Sequence, residues 1–168
     1  VLLSSLKRTL HEGLWLPRLQ RFELDLCRAA DRVLVLTPEE HYGLLGLAPN
    51  LKITAIPSGV DADRFQPGDP AQREEAVLFT GFYSDAWNVD AVLWFVHRIW
   101  PRLKARRPGL TFYVVGPGPT AALRDLQRRD RSIVVTGAVP DVRPYLARAR
   151  VFVCPARMGT GMRGKLLE

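Results

Sequence analysis

A doubly wound α/β fold built on a parallel sheet is what this sequence predicts, and three observations carry it. From residue 76 onward, four short runs rich in Val, Ile, Phe and Tyr alternate with segments of helical periodicity, the pattern of successive βα units joined by right-handed crossovers. Glycines follow these runs at Gly81, Gly116, Gly137 and Gly159, on the side of an open α/β sheet where ligands bind. With 47% hydrophobic and 24% charged residues in a chain of 168, the composition is near the globular average. It excludes disorder and fibrous repeats and leaves enough length to bury a core.

The elements follow in order. Leu16, Leu19, Phe22, Leu26 and Ala30 recur at helical spacing, and Asp31 closes that stretch before the β-rich run Arg32-Val-Leu-Val-Leu-Thr37. Thr37 is suited to cap a helix, with Pro38 at its first position and Glu39 and Glu40 in its first turn, running to about Leu47. A strand over Lys52–Ile56 precedes Pro57-Ser-Gly-Val-Asp61, and the Pro, Gly and Asp-rich stretch through Pro70 reads as a linker. Then come a strand over Ala76–Thr80 and a helix from Asn88 with Val92, Val96, Ile99 and Leu103 as its core stripe, broken or kinked by Pro101. The pattern continues with a strand over Leu110–Val115, a helix from Thr120, a strand over Ser132–Thr136, a short helix from Asp141 and a strand over Arg150–Pro155. Gly159-Thr-Gly-Met-Arg-Gly-Lys-Leu-Leu-Glu168 then reads as a glycine-bearing loop that opens another helix.

Several function classes fall away. Apolar runs such as Ala91–Val96 are far shorter than the ~20 residues a spanning helix needs. The chain starts at Val1, and Val1-Leu-Leu-Ser-Ser lacks a basic leader and a cleavage site, so the expectation is a piece of a longer protein. Cys27 and Cys154 have no zinc-like or disulfide spacing, which points to a reducing cytoplasm. The formal charge of +7 comes with 20 Arg among 24 basic residues, scattered among Asp and Glu, which is a solvated basic surface rather than a nucleic-acid patch. Such a surface leaves open a peripheral contact with anionic lipid at the inner face of a membrane.

Among the motifs, Gly159 to Glu168 is the most informative. Strand, glycine loop and helix N-terminus together favour an anion, because unpaired N–H groups and the positive end of the helix dipole converge. Lys165 and Glu168 could be an i, i+3 surface pair, but a cation in the first turn opposes the dipole, so Lys165 is assigned to a bound diphosphate. Gly116-Pro-Gly-Pro119 lacks the third glycine of a dinucleotide fingerprint, and its prolines remove donors. Asp61-Ala-Asp63 has the form of a carboxylate pair that holds a divalent ion, yet it falls by the linker and no metal is assigned to it. His11, His41 and His97 are isolated and read as ordinary surface or core residues.

Four motifs in order, Pro57-Ser-Gly-Val-Asp61, Val114-Val-Gly-Pro-Gly-Pro119, Val135-Thr-Gly-Ala-Val-Pro-Asp141 and Gly159-Thr-Gly with Lys165-Leu-Leu-Glu168, resemble those of GT-B retaining glycosyltransferases of family 4. The resemblance covers about residues 20 to 168. It implies that residues 1–66 are the C-terminal part of an acceptor-side Rossmann-like domain, 67–75 a linker, and 76–168 a nucleotide-sugar-binding Rossmann-like domain that is incomplete at its C-terminus. It further implies hexosyl transfer from a nucleotide-sugar to a glycan or lipid-linked acceptor in polysaccharide biosynthesis, without metal, by a parent enzyme of which this piece alone is inactive. Gly81, Gly159, Thr160, Gly161, Met162, Arg163 and Lys165 would face the donor diphosphate, and Gly137, Ala138, Val139 and Glu168 the nucleoside. Two departures stand out. Thr160 occupies the place of the first of the family's paired glutamates, and Gly81-Phe-Tyr-Ser-Asp-Ala-Trp-Asn88 lacks the usual Arg and Lys, a gap that Arg157 or Arg163 could fill. A GT-B sugar epimerase and a basic nucleic-acid-binding module are the alternative readings.

Overall fold

The computed structural model describes residues 2–158 and 162–167, with side chains from residue 15 onward. The chain forms two compact units, Val1–Ser58 and Gly59–Glu168.

In the first unit, α1 (Leu2–Ala29) is followed by β1 (Val33–Val35), α2 (Pro38–Leu47) and β2 (Ile53–Ala55), with β1 and β2 paired in parallel from Val33↔Ile53 to Val35↔Ala55. The start of α2 is the one the sequence specifies. The Thr37 hydroxyl accepts from the Glu40 N–H at 3.1 Å, the Glu40 carboxylate accepts from the Thr37 N–H at 3.2 Å, and Pro38 takes the first turn, where its missing N–H has no partner to lose. Pro17 lies inside α1. The apolar stripe Leu16, Leu19, Phe22 and Leu26 is exposed on it.

The second unit holds a four-stranded parallel sheet. Its strands are β3 (Glu74–Thr80), β4 (Thr111–Val115), β5 (Ile133–Gly137) and β6 (Ala149–Phe152), in the order β5-β4-β3-β6. The helices α3 (Ala86–Arg98), α4 (Trp100–Arg106), α5 (Ala121–Arg129) and α6 (Arg143–Arg148) connect them. Alternation along the strands sorts residues to two faces. Val77, Phe79, Phe112, Val114 and Ile133 pack with Val92 and Phe95 of α3, Trp100 of α4, and Leu123 and Leu126 of α5. On the opposite face Leu78 and Val115 pack with Tyr145 and Leu146 of α6. Both faces are thus covered, as a parallel sheet requires.

Pro101 does separate two helices. α3 ends at Arg98, Ile99 bridges, and α4 begins at Trp100 with Pro101 in its first turn. The expected stripe is only partly the core: Val92 is buried, Val96, Ile99 and Leu103 are half-buried against it, and Ala91, Phe95 and Trp100 are the more deeply buried residues. The break at Ile99 interrupts the 3.6-residue period, so positions counted across it do not share one face. At the C-terminal end, Gly164–Leu166 is a single 3-10 turn closed by the Leu167 N–H on the Gly164 carbonyl, where the sequence predicts the first turn of an α-helix. A 3-10 turn satisfies its carbonyl over three residues and needs no further nucleation.

Candidate functional site

The order β5-β4-β3-β6 contains a reversal. The chain steps outward from β3 to β4 to β5, then crosses back to place β6 on the other side of β3. Loops leaving the adjacent carboxyl ends of β3 and β6 therefore diverge, and a crevice opens there by topology alone. A cavity of about 560 Å³ occupies this place. Gly81, Phe82, Trp87 and Asn88 line it after β3, and Gly116 and Pro117 after β4. Ala138, Val139 and Val142 contribute from beyond β5, Cys154 and Ala156 from beyond β6, and Arg163 and Lys165 from the C-terminal segment.

The loops at its mouth are pinned by backbone hydrogen bonds. The Gly81 N–H donates to the Val115 carbonyl at 3.0 Å, the Gly116 N–H to Gly137 at 3.1 Å and the Tyr83 N–H to Pro117 at 2.9 Å. Gly116 has φ +141°, and a Cβ there would lie 2.0 Å from the Gly81 carbonyl oxygen, so only glycine lets the two loops meet. Tyr83 is completely buried beneath them, its hydroxyl directed at the Phe79 carbonyl at 3.3 Å. Burial pushes that hydroxyl far above the ordinary tyrosine range, so it is a fixed donor at any working pH.

Lys165 reaches the carboxyl end of β3. Its ammonium donates to the Thr80 carbonyl at 2.7 Å and to Asn88 Oδ1 at 3.2 Å, and it lies 4.5 Å from the centroid of the Phe79 ring. Asn88 is buried in the first turn of α3, and its Nδ2 donates to the Phe82 carbonyl at 2.9 Å, which fixes the amide so that its oxygen faces the lysine. The structure thus seats a cation at the mouth of the sheet on polar and aromatic supports. Arg163 donates to the Met158 carbonyl at 2.6 Å and lines the same cavity.

Of the residues that sequence assigns to the diphosphate, Gly81, Arg163 and Lys165 line the cavity, whereas Met162 is half-buried and does not. Gly81 contributes room rather than an N–H, since its amide is committed to Val115. Ala138 and Val139 line the cavity, with Gly137 just before them at φ +72°. Gly159, Thr160, Gly161 and Glu168 lie outside the described residues. Arg157 is engaged elsewhere: it holds Asp90 with two hydrogen bonds, of 3.1 and 2.6 Å, and covers the Trp94 ring at 5.7 Å. Asp61 caps its own turn, accepting from the Asp63 and Arg64 N–H groups at 3.1 and 3.0 Å. Among the described residues no group of three His, Cys, Asp or Glu side chains is placed to hold a metal.

Sequence reasoning passed over Phe82, Trp87, Asn88 and Cys154. Asn88 had a visible signal, an uncharged polar residue in the first turn of a helix whose other early positions include Ala86, Trp87 and Val89. The sequence pattern places Cys154 in a strand over Arg150–Pro155, but β6 ends at Phe152 and leaves it half-buried at the cavity.

Architecture and crevice together define a Rossmann-like unit. The family model of glycosyl transferases group 1 matches residues 74–168, more than half of the chain, and the chain belongs to that family. A comparison with curated proteins returns no match. Solved structures share the fold: TarM at 12% identity and TM-score 0.62, a TarM variant from S. aureus in complex with Fondaparinux, alpha-GlcNAc-glycerol and UDP at 13% and 0.61, and the pneumococcal O-GlcNAc transferase GtfA in complex with UDP and GlcNAc at 17% and 0.58. These matches cover 79%, 79% and 78% of this chain and 26%, 27% and 26% of those chains. The chain spans about a quarter of the length of the structures it matches.

Proposed function

We propose that the second unit binds a nucleotide-sugar and serves the transfer of its sugar, with retention, to a glycan or lipid-linked acceptor. The observation that carries this reading is the Lys165 ammonium held at the mouth of the sheet by Thr80 and Asn88, beside Arg163, in a cavity at the switch point of the strands. Breaking the bond from an anomeric carbon to a nucleoside diphosphate develops negative charge on the leaving oxygen. A preorganised cation stabilises that charge without a metal ion. In this reading Lys165 and Arg163 face the diphosphate, with Gly159, Thr160 and Gly161, and Ala138 and Val139 face the nucleoside together with Glu168. Asp61 and Asp63 hold no metal. Among the described residues no helix is long and apolar enough to cross a membrane. We place the enzyme in the cytoplasm, its basic surface meeting anionic lipid headgroups.

The test is calorimetric titration of the chain with UDP, GDP and ADP. One of the three should bind, and Lys165→Ala should weaken it by about 1.5–3 kcal/mol, the range for hydrogen bonds to charged groups. No binding by the folded chain, or full affinity in the variant, overturns the assignment. Product analysis with a donor and a panel of acceptors separates transfer from epimerisation.

A further inference from the structure

We infer that Phe82 and Trp87 form an aromatic platform for the sugar ring of the bound donor, so that this wall of the cavity reads the pyranose rather than the nucleotide. The inference deepens the proposed function and rests on it. Both rings line the cavity, and both are exposed, Phe82 at 65% and Trp87 at 48%. Their exposure does not come from a loose loop. Between them Tyr83 is completely buried and pinned to Pro117, the Asp85 N–H donates to the Phe82 carbonyl at 3.3 Å, and the Asn88 amide closes on that same carbonyl at 2.9 Å. The turn is anchored at both ends, and what it presents is aromatic.

The distribution of charge says which part of the ligand belongs there. The cationic side chains lining the cavity are Arg163 and Lys165, and they take the diphosphate. An aromatic face carries the negative side of a quadrupole and repels phosphate oxygens, while it attracts polarised C–H groups. The nucleoside end is assigned to Ala138 and Val139 beyond β5, which lies two strands from β3, roughly 10 Å at ordinary strand spacing. What remains beside Phe82 and Trp87 is a neutral ring with an apolar C–H face and a hydroxyl edge. A pyranose fits that description. Its C–H face covers the aromatic surface, and its hydroxyls stay in water at the open rim.

The experiment compares, by calorimetry, the nucleoside diphosphate that binds with its sugar conjugate, drawn from UDP-glucose, GDP-mannose and ADP-glucose, on the wild-type chain and on Phe82→Ala, Trp87→Ala and Trp87→Phe. Both side chains are exposed, so the variants should keep the wild-type circular dichroism. Each alanine variant should bind the sugar nucleotide about 3- to 10-fold more weakly, the order expected for one aromatic contact, and bind the diphosphate within about twofold of wild type. Trp87→Phe should restore most of the loss. Equal losses for both ligands would make the rings a base platform or a structural support, and no loss for either would leave them without a role in binding; both results overturn the inference alone. Absence of any nucleotide binding by the wild type overturns the proposed function, and the platform with it.

Discussion

In the unit Gly59–Glu168 the sheet is covered on both faces, and residues such as Leu78, Phe79, Phe112 and Val114 have no solvent exposure. In the unit Val1–Ser58 only Val35 and Ala48 are buried among the described residues, while Trp15, Leu16, Leu19, Phe22 and Leu26 stand more than half exposed along α1. The apolar content of the two stretches looks similar in sequence. The difference teaches that periodicity identifies which residues share a face, not whether anything covers it. In the second unit α3, α5 and α6 each follow a strand of the sheet they pack on, and α4 adds Trp100 to the same core. In the first, two three-residue strands make too narrow a sheet to cover a 28-residue helix.

The comparison breaks most easily at two phenylalanines. Phe112 is completely buried against Phe95 and Trp100, with ring centroids 4.8 and 5.5 Å away, whereas Phe22 is 60% exposed. Phe112→Ala should cost about 3–5 kcal/mol through lost transfer energy and a residual cavity. Phe22→Ala should change stability by less than about 0.5 kcal/mol. Urea denaturation of both variants decides the matter, and a comparable loss at Phe22 would show that α1 is covered in solution.

Two glycines sharpen the contrast next. Gly116→Ala forces a Cβ against the Gly81 carbonyl at a backbone angle that side chains avoid, and should cost on the order of 3 kcal/mol. Gly46 lies within α2 with nothing within 4 Å of a Cβ position. Gly46→Ala should stabilise its helix by about 0.5–1 kcal/mol, because alanine has less backbone freedom to lose. Thermal unfolding followed by circular dichroism reads both signs.

How much of this was legible depends on the range over which each feature is determined. The α2 cap was readable because Thr37, Pro38 and Glu40 interact within four residues. The alternating strands and helices from Glu74 to Phe152 were readable for the same reason, since each follows a local period. The site was readable only in part. Lys165 could be singled out from its sequence position, but its seat on Thr80 and Asn88 joins residues 85 and 77 positions apart, and no local pattern encodes that. Phe82 and Trp87 looked like a departure from a motif, and their shared exposure at the cavity depends on the burial of Tyr83 between them.

The two cysteines offer a chemical version of the comparison. Cys154 lines the cavity and Cys27 belongs to the first unit, and both are half-buried. If nucleotide fills the cavity, saturating ligand should slow alkylation of Cys154 by N-ethylmaleimide and leave Cys27 unchanged. Peptide mass mapping over time measures each rate, and equal protection of both thiols would place the ligand's effect outside the cavity.

The smallest expected effect concerns charge at the surface. Asp141 accepts from the Arg143 N–H at 3.0 Å and pairs with its guanidinium at 2.6 Å, and these contacts hold the carboxyl down to about 2 from its ordinary 3.8. A carboxylate whose pKa is depressed by folding stabilises the folded state above its unfolded pKa and loses that contribution as pH falls through the folded value. The loss therefore falls between about pH 4 and pH 2. In Asp141→Asn that portion of the acid-induced destabilisation should disappear, because the side chain no longer titrates, while stability at neutral pH should fall only slightly, as is usual for an exposed pair. Urea midpoints for the wild type and Asp141→Asn at pH 7, 4 and 2.5 test this, and an unchanged slope in Asp141→Asn would mean that the Asp141–Arg143 contact does not persist in solution.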